Sequence, residues 1–531
     1  MPGMLGEKAQ RRLGFPCAWR PTWCLRWASR ARLGTSPDSE RDLEAADLRR
    51  GVPLHKLFDG FGRIIRTQAD TLPAAQKEKL FSSSHKVERF DFFISHVCST
   101  PGLKKYVTLV MDRLGLFAFA AAAIVSVGLF LFQAYWHILP RSKAFTRHDT
   151  FFGFTWAVSF WELFGGVSAA WLVYAFGHVF CSRTCCFFDC ASICQTNPHL
   201  KAAGITSIPR FLRASNELVV LWDELYFSRL WCVYELAVVQ SLGNIPIRLL
   251  PLDVYMLLAL GQVYWFAAGV GYLLLWPWIP GVWGAHLGTL FVGIPVFALQ
   301  AHAGHTFARL YAKLLEQFEG FDVRSAAISF ESDRSCICVS IEELFDGSLD
   351  NFNRKVRTDL KSAAMRSLTG QRAMIPYRGM LWQMLPGLPF FCSKFSTTMH
   401  LPFYYRVSYH FFGVTFVLCV LPVFSAAAME FGKRVAAQTK PDGSGAAMRY
   451  VGVGVLFATA LCVWAQLVWI LPCWIGVGGM RSHGVEDWHS LLVAVPTNAL
   501  AVVAAVWAFC PQSGIDSSGS AEAGGDGTKL G

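Results

Sequence analysis

The feature that most constrains this chain is a series of apolar runs, each close to 20 residues long and nearly free of charge. A helix of about 20 apolar residues crosses a hydrocarbon core of about 30 Å with every backbone polar group satisfied internally. Seven runs meet that requirement: Leu116 to His137, Trp156 to Phe180, Val254 to Trp276, Gly281 to Gln300, Ser408 to Met429, Tyr450 to Leu471 and Ser490 to Phe509. The fourth is Gly-rich and follows Pro277 and Pro280, and the seventh is interrupted by Pro496 and Asn498. With 53% hydrophobic residues and only 16% charged ones among 531, the chain reads as a multi-pass α-helical membrane protein of about seven spans whose first partner is the lipid bilayer.

The net charge of +11 does not point to nucleic acid, because Lys and Arg concentrate in the hydrophilic segments between apolar runs, where they suit a surface facing anionic lipid. Sixteen scattered cysteines, several inside apolar runs, are not the framework of a small secreted disulfide domain and are expected to be reduced. No N-x-S/T acceptor marks a large segment outside the cell.

Even numbers of spans separate three hydrophilic blocks, residues 1–112, 181–252 and 301–405, so all three are expected on one side of the membrane. That side is read as the cytosol from its Lys and Arg content, against the opposing loop of Arg141, Lys143 and Arg147 and the basic stretch of Lys433, Arg434 and Lys440. The expected divisions run in chain order. Residues 1–86 form a basic, largely disordered N-terminal region, 116–180 and 254–300 two membrane hairpins, and 301–405 a cytosolic α-rich region. Residues 408–509 hold spans five to seven, the odd count placing a disordered tail, 511–531, on the far face.

The stretches between the first spans read as soluble α/β sequence. CCFFDC, ELVVLWD and IPIRLLPL are short apolar runs of the kind that form buried parallel strands, and SRLWCVYELAVVQ is a helix between the last two. Alternating strands and helices imply a parallel sheet covered by helices. FDFFISH, Phe90 to His96, supplies a further strand from before the first span, so the domain over 87–112 and 181–252 is expected to be interrupted by a membrane hairpin.

These segments carry a resemblance. FDFFISH resembles the first-strand box of TIR domains, CCFFDCASICQ falls where the second box and its loop lie, and RLWCVYELA is similar to their Trp-Cys-x-x-Glu-Leu helix. The run GITSIPRFLRASNELVVLWDELYFSRLWCVYELAVV, and SDRSCICVSIEELFDGSLDNFNRKVRTDL after it, resemble a family of TIR-like multi-pass membrane proteins from dinoflagellate algae. The resemblance implies a membrane-anchored signalling protein. Its α/β domain would serve as a self-associating interaction module or as a hydrolase of the N-glycosidic bond of NAD, with NAD as substrate and no resident cofactor. In the latter case Glu235 is the catalytic carboxylate, with Trp231, His96, Asp189 and Trp222 around the substrate. Where that family tends to show Asp-Lys-x-Cys-Ile in the loop, this chain has Asp189, Cys190, Ala191, Ser192 and Ile193, and a phosphate-contacting lysine is missing.

Independently of the resemblance, helical spacing puts Glu235 in an apolar stripe with Trp231, Cys232, Val238 and Val239, where desolvation raises a carboxyl pKa. A carboxylate that only fixes the helix by bonding a backbone group or Arg229 has the same pattern. Five cysteines from Cys181 to Cys194 lack paired C-x-x-C spacing, so no metal site is expected; Cys181, Cys185 and Cys186 are candidates for palmitoylation at the membrane boundary. Glu162, inside the second run, carries the alternative of a channel or transporter with that carboxylate in its pathway.

Overall fold

In the computed structural model, the described residues are 48–510, apart from 69–71, 142, 150–153, 279–282, 329–330, 363, 366–374, 400–402, 438–443 and 471–487. The expectations for the arm up to residue 47, for the tail 511–531 and for Lys440 fall outside them.

Among the described residues, seven helices are long and apolar enough to cross a membrane, and each overlaps an expected span: Gly102–Trp136, Trp161–Phe180, Leu252–Trp278, His286–Glu319, Arg406–Val435, Gly445–Val468 and Leu491–Phe509. The second begins later than expected, because Phe154–Ala157 is instead strand β5, paired antiparallel with β4, Thr146–Asp149.

A six-stranded mixed sheet sits at one end of the helices. Its strands are β1 (Arg50–Pro53), β2 (His85–Lys86), β3 (Phe92–His96), β6 (Cys185–Phe187), β7 (Leu218–Trp222) and β8 (Ile247–Pro251), in the order β2-β1-β6-β3-β7-β8. β3 pairs in parallel with β6 and β7, with Ile94 opposite Val219, so strands from before the first span and after the second share one sheet. One face packs on the helix Leu230–Leu242 and on segments from 310–364; the other packs on Leu54–Arg66 and on the first turns of Gly102–Trp136 and Leu252–Leu275. Asn197 caps the helix Pro198–Thr206 by accepting from the His199 and Leu200 amides.

The N-terminal region differs from expectation. Residues 50–68 and 72–86 are built into the domain: β1 extends the sheet antiparallel to β6, and helices Leu54–Arg66 and Ala74–Phe81 follow. The apolar residues Leu54, Leu57, Phe58, Ile64 and Ile65 are buried against the sheet, a burial masked in the sequence by the basic residues between them. Gly62 turns this segment with φ +72°, where a side chain would collide with Tyr106.

A second difference lies in the 301–405 block, expected to be wholly on the domain side. Helices Tyr377–Gln383 and Gly387–Thr397 run instead through the apolar bundle. Trp382 packs on Gly115 and Tyr255 near the sheet, Phe390 on Gly269 and Tyr272 midway, and Arg141 at the far end donates to the Ser396 carbonyl at 3.0 Å. With the turn at Met384–Pro386 they cover roughly the ~30 Å of a hydrocarbon core. Pro386, Pro389 and Lys394 break the hydropathy that would reveal such a crossing, and neither helix alone has membrane length.

The next helix returns antiparallel, Phe395 lying on Tyr409, Phe391 on Phe412 and Gly387 on Val417. Among the described residues the chain therefore traverses the bundle eight times. The last described helix, Leu491–Phe509, ends on the sheet side, with the Phe509 ring 5.2 Å from that of Tyr377 and tilted against it. An odd span count places the end of this last helix on the far face, and the extra traverse reverses that for the described residues. Lys433 and Arg434 also move to the sheet side, which removes one objection that charge distribution raised.

The sheet is fastened to the bundle by a charge cluster. Asp112, its side chain fully buried, accepts two hydrogen bonds from Arg248 of β8 at 2.8 and 2.7 Å and one from Tyr255 of the third span at 3.3 Å. Glu217 at the head of β7 bridges Arg248 and Arg113, and Arg113 lies over the Phe92 ring at 4.0 Å.

Two outcomes are expected. In sealed vesicles, a protease site added after Cys510 and one in the 240s loop are cut from the same side; cleavage from opposite sides defeats the eight-pass path. Asp112→Ala leaves Arg248 without its buried acceptor and lowers stability by about 3 kcal/mol, read as a depressed melting temperature in detergent.

Candidate functional site

At the carboxyl ends of β3 and β6 the sheet opens into a cleft of about 490 Å³. The helix after β3 lies on one face of the sheet, whereas the helix Ile208–Arg213 after β6 lies on the other. Adjacent parallel strands whose connections leave to opposite faces cannot close over the crevice between them, which makes this the place where open α/β sheets bind ligands.

Four of the five residues expected around a substrate meet here: Glu235, Trp231, His96 and Asp189 all line the cleft. The fifth, Trp222, does not. It ends β7 facing the apolar core, 3% exposed, and its indole nitrogen finds no hydrogen-bond partner among the described residues.

Glu235 projects from the second turn of Leu230–Leu242, a helix whose start is pinned by the Leu230 amide bonding the Ala327 carbonyl at 3.0 Å. Desolvation by the apolar walls pushes its carboxyl up to about 8; a hydrogen bond with Ser95 opposes the rise and the nearby Asp189 charge adds to it. Ser95 Oγ lies 2.7 Å from the buried Tyr226 hydroxyl, so the carboxyl ends a short chain of hydroxyls rather than an ion pair. This is a carboxyl held at the cleft by a side-chain network.

His96 is held on the cleft floor, its ring stacked on Phe188 at 4.9 Å. Burial drives its pKa down to about 4; the Asp189 carboxylate, 3.9 Å from Nε2, pulls the other way, and Lys105 adds to the lowering. The imidazole is therefore neutral at physiological pH. Asp189 opens the short helix after β6 and accepts from the Cys190 amide at 2.7 Å.

Residues not singled out in the sequence complete the site. Arg66, Lys105 and Lys201 line the cleft together with Arg229 and make it basic, Lys105 donating to the Cys98 carbonyl at 3.5 Å. Arg66 to Gln68 come from the N-terminal region, and Ala327 and Ile328 from beyond the fourth span. No local motif joins segments this far apart in sequence.

Of the cysteines considered for acylation, Cys185 and Cys186 are buried in β6, and Cys186 bonds the Val52 carbonyl at 3.4 Å. They are shielded from an acyltransferase; Cys181, half-buried past the second span, is the one within reach. Glu162 is buried at the far end of the second span, where Ser159, Ser393 and Ser396 all donate to its carboxylate. It ties that span to the broken crossing and does not line the intramembrane cavity of about 130 Å³ beside Tyr272 and Lys394.

Searches of protein-family models, curated proteins and solved structures find no match to this chain.

Because the folded state holds a proton on Glu235 that the unfolded chain releases near 4.5, its burial costs nothing below that pH and destabilises progressively as pH rises through about 8. Glu235→Gln is expected to match the wild-type melting temperature near pH 4.5 and to exceed it at pH 9, by on the order of 2 kcal/mol once solvent in the cleft is allowed for. Equal melting temperatures at both pH values would show an unperturbed carboxyl.

Proposed function

We propose that this protein is a membrane-anchored, TIR-like signalling protein whose α/β domain faces the cytosol and cleaves the N-glycosidic bond of NAD or a closely related nucleotide. The observation that supports this reading is the cleft itself: a desolvated carboxyl, a tryptophan and four basic side chains converge at the carboxyl ends of parallel strands. The basic residues suit a diphosphate, and Trp231 offers a ring face to a base.

In the reaction, the bond from ribose C1′ to the nicotinamide nitrogen breaks with its electron pair leaving on nitrogen, giving neutral nicotinamide. Positive charge develops on the ribose, and the Glu235 carboxylate stabilises it while orienting the ribose hydroxyls. Water then adds at C1′ and releases a proton. Only the ionised carboxyl does this work. The cationic nicotinamide ring favours that form on binding, and cleavage increases as pH rises toward 8.

A non-catalytic, self-associating module on the same domain is the second reading. It is favoured by the carboxyl pKa of about 8, which leaves the carboxylate a minority at neutral pH.

The test is nicotinamide release from NAD by the detergent-purified full chain between pH 6 and 9. Release should rise with pH and fall roughly a hundredfold or more in Glu235→Ala, with melting curves retained. Absence of release from an intact, self-associated wild type assigns the domain to assembly alone.

A further inference from the structure

The floor of the cleft holds three donor atoms of different chemistry within 4.8 Å of one another: an imidazole nitrogen of His96, a carboxylate oxygen of Asp189 and the thiol of Cys190. We propose that these three residues form a binding site for a divalent transition-metal ion of the zinc class, with its remaining coordination position open to the cleft.

The arrangement meets the requirements of such a site one by one. Zinc accepts nitrogen, oxygen and sulfur ligands together, and three protein ligands with a free position is the form that leaves room for water or substrate. His96 is fixed before any ion arrives: its side chain is 4% exposed, its ring is stacked on Phe188, and the Ile94 carbonyl accepts a hydrogen bond from it. A backbone carbonyl holding the ring in this way is the usual outer-shell support of a metal-binding histidine. Asp189 and Cys190 open one short helix, and the bond from the Cys190 amide to Asp189 Oδ1 at 2.7 Å sets the carboxylate toward the ring.

Charge is consistent as well. A neutral imidazole, a carboxylate and a thiolate cancel a divalent cation, so the loaded site adds no net charge beside Lys105 and Arg229. The mixed donor set, with a thiolate in it, disfavours calcium and magnesium, which take oxygen ligands. The ion would occupy the side of the cleft where β3 and β6 end, where an anionic group of a ligand, such as a phosphate, can fill the open position. The site does not depend on the nucleotide reading, because its test measures bound metal.

The full chain, purified in detergent and stripped with a chelator, is dialysed against Zn²⁺ and its metal content measured; Co²⁺ loading then reports thiolate ligation by its charge-transfer absorption. Wild type should keep one ion per chain and show the cobalt–thiolate band. Cys190→Ser, a near-isosteric change at a half-buried position that avoids the folding risk of His96→Ala, should lose the band and weaken zinc binding by at least the ~10-fold that loss of an outer-shell partner costs. Asp189→Asn should weaken it likewise, while Cys510→Ser leaves both readouts unchanged. A wild type that keeps no zinc, or a Cys190→Ser variant that keeps both the ion and the band, overturns the assignment.

Discussion

The cluster around Asp112 is the interaction on which the architecture depends. Two arginines, two carboxylates and a tyrosine from four separate elements meet where the sheet touches the membrane helices. Charges this shielded from water are costly unless each finds partners, and here each does, so the cluster fixes the register between sheet and bundle more than it adds net stability. An apolar contact would let the sheet slide on the helices; a directional set of charge-assisted bonds does not.

That fixed register matters because no linker separates the two halves of the molecule. Gly102–Trp136 begins at the cleft, where Gly102 and Lys105 form part of the wall, and continues unbroken as the first span. Leu252–Leu275 starts directly after β8, and Trp283–Glu319 carries the chain from the bundle to the segment that supplies Ala327 and Ile328. The spans and the cleft are thus joined by continuous helices rather than by a flexible tether. The interrupted crossing over 377–397 is the discontinuous element of the bundle, and the serines around Glu162 hold its far end.

The site is assembled from five separate stretches of chain. Trp231 and Glu235 were legible because a helical repeat places an acid in an apolar stripe beside an aromatic residue, and His96 because it ends an apolar strand. Ser95, Tyr226 and the basic wall were not legible: a hydroxyl in a strand and scattered lysines have no local signature. Trp222 misled because a tryptophan at a strand end can turn to either side, and alternation along β7 turns it into the core.

The sequence by itself determined the membrane class, the place in the chain of all seven long apolar helices though not how far two of them run on beyond the apolar stretch, and the four parallel strands with their covering helix, since each of these depends on a short-range repeat of hydrophobicity. Tertiary structure decided the rest. It recruited Arg50–Pro53 and His85–Lys86 into the sheet, threaded 377–397 through the bundle as an eighth traverse, and so returned the last described residues to the sheet side. The physical reason is the same in each case. Those segments are too short, too charged or too interrupted by proline to show a pattern of their own, and they become buried only because other parts of the chain provide the surface that buries them.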